Sequence, residues 1–126
     1  MARILVIDDD ADVRRAIRRH LQSDGHDVVE APDGKVGVRL FREQPTALVV
    51  TDLFMPEQEG LETIRELRRS FKDLKILVVT GAPAGSALDF RAQATMLGAA
   101  ATLGKPFTRE ELLGAVNALL ALPPHQ

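Results

Sequence analysis

Five short apolar, β-branched runs, at residues 3–7, 27–31, 47–51, 75–79 and 100–103, alternate along this chain with stretches that carry helical spacing. That alternation limits the fold more than any other feature, because strands separated by helices do not pair as hairpins. They pair as parallel neighbours through crossovers, and each crossover is right-handed. Continuous apolar runs such as Ile76-Leu77-Val78-Val79 match strands covered on both faces rather than strands with one face in water. The expected fold class is α/β: one domain with a five-stranded parallel sheet, doubly wound, with helices on both faces.

The connecting stretches agree. In residues 11–23, Val13, Ile17 and Leu21 recur every four residues with Ala16 beside them, and Gly25 supplies the stop. Asp10 or Asp12 is placed to cap the start of that helix. Residues 33–44 carry Val36, Leu40 and Phe41 and end before Pro45. Residues 60–71 set Leu61, Ile64, Leu67 and Phe71 on one face and Arg65, Glu66, Arg68 and Arg69 on the other. Thr108 with Glu110 and Glu111 gives a capping-box signature, followed by an apolar face of Leu112, Val116, Leu119 and Leu120. The region after the fourth strand is less regular: Gly81, Pro83, Ala84 and Gly85 read as a long loop. The helix beyond it has poor periodicity, with Leu88, Ala92, Met96 and Leu97 as its expected inner residues. Pro123 and Pro124 close the last helix, so the domain is expected over residues 1–121, with 122–126 as a tail or the start of a linker.

Composition removes several classes of function. At 126 residues the chain is one domain's length, long enough to bury a core. A net charge of −2 gives no general attraction to nucleic acid or to an anionic membrane, so neither is an expected direct partner. Cys is absent, which excludes disulfides, thiol catalysis and thiolate metal sites. The first apolar run meets acidic residues at once, no signal-peptide core is evident, and no apolar stretch reaches membrane-spanning length. A cytoplasmic location is expected. His20, His26 and His125 lack metal-ligand spacing and receive no role.

The chemistry-bearing residues sit where apolar runs stop. Asp8 and Asp9 follow Arg3-Ile4-Leu5-Val6-Ile7, Asp52 follows Leu48-Val49-Val50-Thr51, Thr80 follows Ile76-Leu77-Val78-Val79, and Lys105 follows Ala100-Ala101-Thr102-Leu103-Gly104. In an open parallel sheet these ends meet at the carboxyl edge, where ligands bind. Three carboxylates, a hydroxyl and an ammonium gathered there suit a divalent metal and a phosphoryl group.

Taken in order, Ile7-Asp8-Asp9, Thr51-Asp52-Leu53-Phe54-Met55-Pro56 with Gly60, Val79-Thr80-Gly81 and Lys105-Pro106-Phe107 resemble the receiver domain of two-component response regulators, a CheY-like, flavodoxin-like fold. The resemblance covers residues 2–121. It implies a signalling phosphoacceptor that catalyses only its own phosphorylation and dephosphorylation. Asp52 would accept the phosphoryl group from a phosphohistidine on a sensor histidine kinase or phosphotransfer protein. Asp8 and Asp9 would hold Mg²⁺, joined by Asp52 and the backbone carbonyl of Phe54. Because three carboxylates in one pocket repel one another, the metal is expected to be required. Lys105 and Thr80 would meet phosphoryl oxygens and draw their loops inward, altering affinity for a downstream protein. The bond between Lys105 and Pro106 is expected to be cis.

Three departures qualify the resemblance. Thr102 stands where the family commonly has Tyr or Phe, and the chain has no Tyr, so the usual ring that follows the threonine is missing. The segment between Thr80 and Lys105 is a few residues longer than usual, with the excess in residues 81–86, as a mobile gate or a contact surface. Phe54 and Ala82, which flank the site, are apolar, and a long-lived phosphoryl group is expected from their bulk. Arg14, Arg15, Arg18 and Arg19 form a basic stripe, read as a solvated face, with kinase docking as the functional alternative. Two other readings remain. Asp8-Asp9-Asp10 faintly resembles the nucleophile motif of haloacid-dehalogenase-like Mg²⁺ phosphohydrolases, with Asp8 as nucleophile, although no acidic pair follows the lysine. Thr102 admits a receiver-like module that binds without phosphorylation. No output domain follows Leu122 here, which leaves a single-domain regulator, a phosphorelay intermediate or a receiver from a longer protein.

Overall fold

The computed structural model describes residues 1–53, 59–82, 85–86 and 89–123. Strands β1 (Arg3–Ile7), β2 (Asp27–Ala31), β3 (Leu48–Asp52), β4 (Lys75–Thr80) and β5 (Ala101–Gly104) alternate with helices α1 (Ala11–Ser23), α2 (Gly34–Glu43), α3 (Glu59–Ser70), α4 (Arg91–Leu97) and α5 (Arg109–Ala121). All strand pairs are parallel, in the order β2-β1-β3-β4-β5. The expected α/β class and the alternation of elements are as read from the sequence. β3 and β5 each lie one residue later than expected, and α3 one residue earlier.

Side-chain alternation along the strands divides the core in two. Ile4, Val6, Leu48, Val50, Leu77 and Val79 face α1 and α5, where they meet Ile17, Leu21, Leu112 and Val116. Leu5, Ile7, Val49, Ile76 and Val78 face the other way, toward Val38 and Phe41 of α2, Ile64 and Leu67 of α3 and Ala94 of α4. β1, β3 and β4 are thus buried on both faces, which is why their sequences are continuous apolar runs. β5 is an edge strand whose Thr102 and Gly104 are exposed.

Helix ends follow their local signals. Asp10 caps α1, accepting from the Asp12 and Val13 amides at 2.9 and 3.3 Å. Beyond α1, Gly25 takes φ 86°, and the His26 amide reaches back to the Leu21 carbonyl. Thr108 and Glu111 complete the capping box of α5. Leu113 is buried with the expected apolar face of that helix.

Three expectations need correction. In α4 the inner residue is Ala94, with Leu97 partly buried, while Ala92 is exposed and Met96 is 86% exposed. The helix is only seven residues long and its few apolar positions do not form a stripe, so spacing found Leu97 but missed Ala94 and wrongly turned Ala92 and Met96 inward. Leu88 lies outside the described residues. Ala16 is exposed, because Val13, Ile17 and Leu21 already fill the side of α1 that meets the sheet. The basic stripe is not one solvated face: Arg15 and Arg19 are exposed, but Arg14 and Arg18 turn onto Glu30 of β2 at 3.1 and 2.5 Å. His26 also has a structural place, accepting from the Ala2 amide at 3.1 Å and lying 3.3 Å from Asn117 of α5.

Candidate functional site

Backbone pairing delivers each polar residue to one edge. Asp52 and Thr80 are the last residues of β3 and β4, paired with Val79 and Gly104. The ladder then runs one step further at three places. The Asp8 amide donates to the Ala31 carbonyl at 3.2 Å, that of Leu53 to Val79 at 2.9 Å, and that of Lys105 to Thr80 at 2.7 Å. Placement of the site therefore rests on the sheet rather than on loop conformation. It lies between β1 and β3, where the order of strands reverses.

Within the edge, Asp8, Asp52 and Thr80 are buried at 0, 5 and 1% exposure, and Asp9 is exposed. Lys105 Nζ lies 3.2 Å from Asp8 Oδ2 and 3.2 Å from Asp52 Oδ2, joining the two buried carboxylates through one ammonium. Burial pushes the Lys105 amine down, but the Asp52 and Asp8 charges and their hydrogen bonds outweigh that, so its pKa is raised. The bond between Lys105 and Pro106 is cis, as expected. Thr80 Oγ1 accepts from the Ala82 amide at 3.2 Å, which leaves its proton free to be donated elsewhere.

Supporting contacts hold the carboxylates from behind. Asp8 Oδ1 accepts from the Asp10 amide at 2.9 Å, and the Asp8 carbonyl accepts from Arg14 Nη1 at 2.7 Å. Arg14 is itself held by Glu30, so β2 and α1 together steady the turn that carries Asp8 and Asp9. Sequence reading missed this pair. Its signal was Glu30, a partly covered acid between Val29 and Ala31 that needs a cation if it is to be covered. On the other side, Gly60 lets α3 approach the end of β3. A Cβ there would stand 2.9 Å from the Asp52 carbonyl oxygen, 2.8 Å from the Leu53 carbonyl carbon, and closer still to the Leu53 carbonyl oxygen.

A cation fits this donor set. Asp8, Asp9 and Asp52 each offer a carboxylate oxygen, and these oxygens lie within 4.8 Å of one another. The expected fourth ligand, the Phe54 carbonyl, lies outside the described residues.

A doubly wound sheet with an acidic pocket, a lysine and a threonine at its switch point defines a class of domain that handles phosphoryl groups. The chain belongs to the response regulator receiver domain family, whose model matches residues 4–117. It is a signalling phosphoacceptor domain of two-component systems rather than a dedicated enzyme. It is 42% identical over 118 residues to the response regulator MprA of Mycolicibacterium vanbaalenii, covering 94% of this chain and 50% of that protein. With MprA of Mycobacterium leprae the identity is 43% over 119 residues, again half of the relative. The chain thus spans about half the length of the curated relatives it matches.

Solved structures agree in fold. A response regulator receiver domain protein from Clostridium thermocellum superposes with a TM-score of 0.85 at 32% identity, over 95% of this chain and 94% of that one. The response regulator TrrA from Thermotoga maritima, in complex with Mg²⁺-BeF, superposes with a TM-score of 0.83 at 31% identity, over 94% and 99%. Nothing in the fold, the site or these similarities favours the phosphohydrolase or the binding-only reading.

Among the described residues no helix is long and apolar enough to cross a membrane.

Proposed function

We propose that Asp52 is the phosphoacceptor, with Lys105 and Thr80 as its phosphoryl-binding partners. The observation that carries this reading is the single ammonium of Lys105 placed 3.2 Å from both Asp8 and Asp52, at the edge where Thr80 also ends its strand. An Asp52 oxygen attacks the phosphorus of a phosphohistidine on a sensor histidine kinase or phosphotransfer protein. The P–O bond forms, the P–N bond breaks, and the imidazole nitrogen leaves with the electron pair. Lys105 then turns from the Asp52 oxygen to a phosphoryl oxygen, and Thr80 turns its hydroxyl proton toward another.

Asp8, Asp9 and Asp52 are the residues that would hold Mg²⁺, with the Phe54 carbonyl as the ligand the family implies. Hard carboxylate oxygens suit that ion, and the Mg²⁺-BeF complex of the Thermotoga relative supports it. When bound, Mg²⁺ supplies positive charge against the phosphoryl oxygens and against the three carboxylates.

Residues 1–121 constitute the receiver and 122–126 a tail or the start of a linker. The domain acts in the cytoplasm on a protein target, without itself touching nucleic acid or membrane, in keeping with its net charge of −2. Intact-mass measurement after incubation with acetyl phosphate tests the reading. The wild type is expected to gain one phosphoryl group only with Mg²⁺, and Asp52→Asn none. Uptake that survives Asp52→Asn, or absence of uptake in the wild type, overturns it.

A further inference from the structure

The family's ring is replaced here by Thr102, exposed on the edge strand, so some other group must carry the state of Thr80 outward. A continuous chain of contacts leads from Thr80 to the first residue of α4. Thr80 Oγ1 accepts from the Ala82 amide at 3.2 Å, and the Ala82 carbonyl accepts from Arg91 Nη2 at 3.1 Å. Arg91 Nη1 pairs with Asp89 Oδ1 at 3.3 Å. Asp89 in turn accepts from the Arg91 amide at 3.2 Å and from the Gly85 amide at 2.8 Å. These bonds hold the Asp89 carboxyl below the usual carboxylate range.

The same guanidinium approaches the end of β5. A Cβ at Gly104 would stand 3.4 Å from Arg91 Nη2, so the planar group lies against the strand at the pairing partner of Thr80. Gly104 and Thr102 point to the same side of β5, two residues apart. Arg91 therefore bonds the loop after Thr80 and the residue that ties the start of α4, and its guanidinium lies close to the end of β5.

We propose that Arg91 is the positioning residue that transmits the state of Thr80 to α4 and β5, in place of the missing ring. When Thr80 moves toward a phosphoryl oxygen, its bond to the Ala82 amide lengthens or carries Ala82 with it. Either change alters the carbonyl on which Arg91 rests. The fork must then shift on Asp89 and Gly104, and α4 shifts with it because Asp89 ties its first amide. An Arg suits the task where Lys does not, since its fixed fork meets the carbonyl and the carboxylate at once.

This inference rests on Asp52 being the phosphoacceptor, and the test separates the two. Amide hydrogen exchange is followed with and without acetyl phosphate and Mg²⁺, with phosphoryl uptake read on the same samples by intact mass. The wild type is expected to take up one phosphoryl group and to change exchange across α4 and β5. Arg91→Ala is expected to take up the group equally but lose that change, with Arg91→Lys retaining part of it. Asp89→Asn, which keeps an acceptor for the α4 amide while removing the charge, is expected to weaken the change as well, and serves should Arg91→Ala not fold. Full uptake in the Arg91 and Asp89 variants with an undiminished change in α4 and β5 overturns the proposal. Absence of uptake in the wild type instead overturns the assignment of Asp52.

Discussion

Replacing Gly60 by Ala should destabilise this domain although it places a better helix former in a helix. Gly60 is the second residue of α3, and propensity alone predicts a gain of at most about 1 kcal/mol. The geometry at the site opposes it. The added Cβ would meet the Asp52 carbonyl oxygen at 2.9 Å and the Leu53 carbonyl carbon at 2.8 Å, with the Leu53 carbonyl oxygen nearer still. These are backbone atoms at the end of a central strand, so they cannot swing aside as the tip of a side chain can. Overpacking typically costs roughly 1–3 kcal/mol, and an immovable obstacle places this case at the upper end. The net expectation is a loss of about 2 kcal/mol, or a fall in Tm of roughly 6–10 °C for a domain of this length. Gly114→Ala is the matched control: Gly114 is exposed in α5, and an added Cβ meets nothing within 4 Å. There the propensity gain stands unopposed, and stability should rise by up to about 1 kcal/mol. Urea unfolding of both variants reads the two signs directly, and acetyl phosphate uptake reports whether the displaced end of β3 still presents Asp52. If Gly60→Ala were as stable as the wild type, or both substitutions moved stability in one direction, the close approach of α3 to β3 would be wrong.

Two further outcomes follow from the site. Lys105→Met removes the ammonium that bridges the Asp8 and Asp52 carboxylates. Because the lysine side chain is 22% exposed, the loss should be discounted to roughly 1–3 kcal/mol and partly recovered by added Mg²⁺. The pKa of Lys105 is raised above its ordinary 10.5, so its contribution is complete below that value and is lost as pH rises through the folded-state pKa. The stability gap between wild type and Lys105→Met should therefore hold steady from about pH 7 to 9 and close only in stronger alkali. Finally, the acyl phosphate should persist because Ala82 offers no side-chain group to orient an attacking water. Its decay, followed by intact mass, should be slower than in Ala82→Gln, and equal rates would refute that role for the apolar flank.

Much of the site was legible because period-2 and period-3.6 patterns expose strand ends, and strand ends fix positions through backbone pairing. Asp8, Asp52, Thr80 and Lys105 each stand at or just past the last rung of a ladder, so finding the strands found the residues. What stayed hidden depends on which long side chain reaches which neighbour. Arg14 read as one of four stripe arginines, yet its stem carries it back over the turn to the Asp8 carbonyl, while Arg15 one position on stays in solvent. Arg91 carried little signal: Asp89 stands two residues before it, but the Ala82 carbonyl on which its guanidinium rests is a backbone group that no spacing marks. α4 was misread because a seven-residue helix with one buried residue has no stripe to find.

Charge within the pocket explains why a divalent ion and a repositioned donor set belong together. Among the described residues, three carboxylates gather at this edge and the Lys105 ammonium bridges two of them, so a divalent cation would add the positive charge that a cluster of three acids favours. Phosphorylation at Asp52, as proposed, would turn the carboxylate into a mixed anhydride and bring in a group of about −1.5 to −2 charge, so the net change in the pocket would be only about one unit. A switch driven by net charge would be weak. What changes more is location: negative charge leaves the Asp52 oxygens, where Lys105 already meets it, and reappears on phosphoryl oxygens further out along the edge. Among the described side chains, the Thr80 hydroxyl and the Lys105 ammonium, at the ends of β4 and β5, are the donors placed to follow it there. Lys105 is held to the sheet through its own amide on Thr80, whereas Thr80 passes its displacement to Ala82 and from there to Arg91. On the proposed reading the path outward from the site runs through the loop after β4, by way of Ala82 and Arg91, without an aromatic ring at position 102.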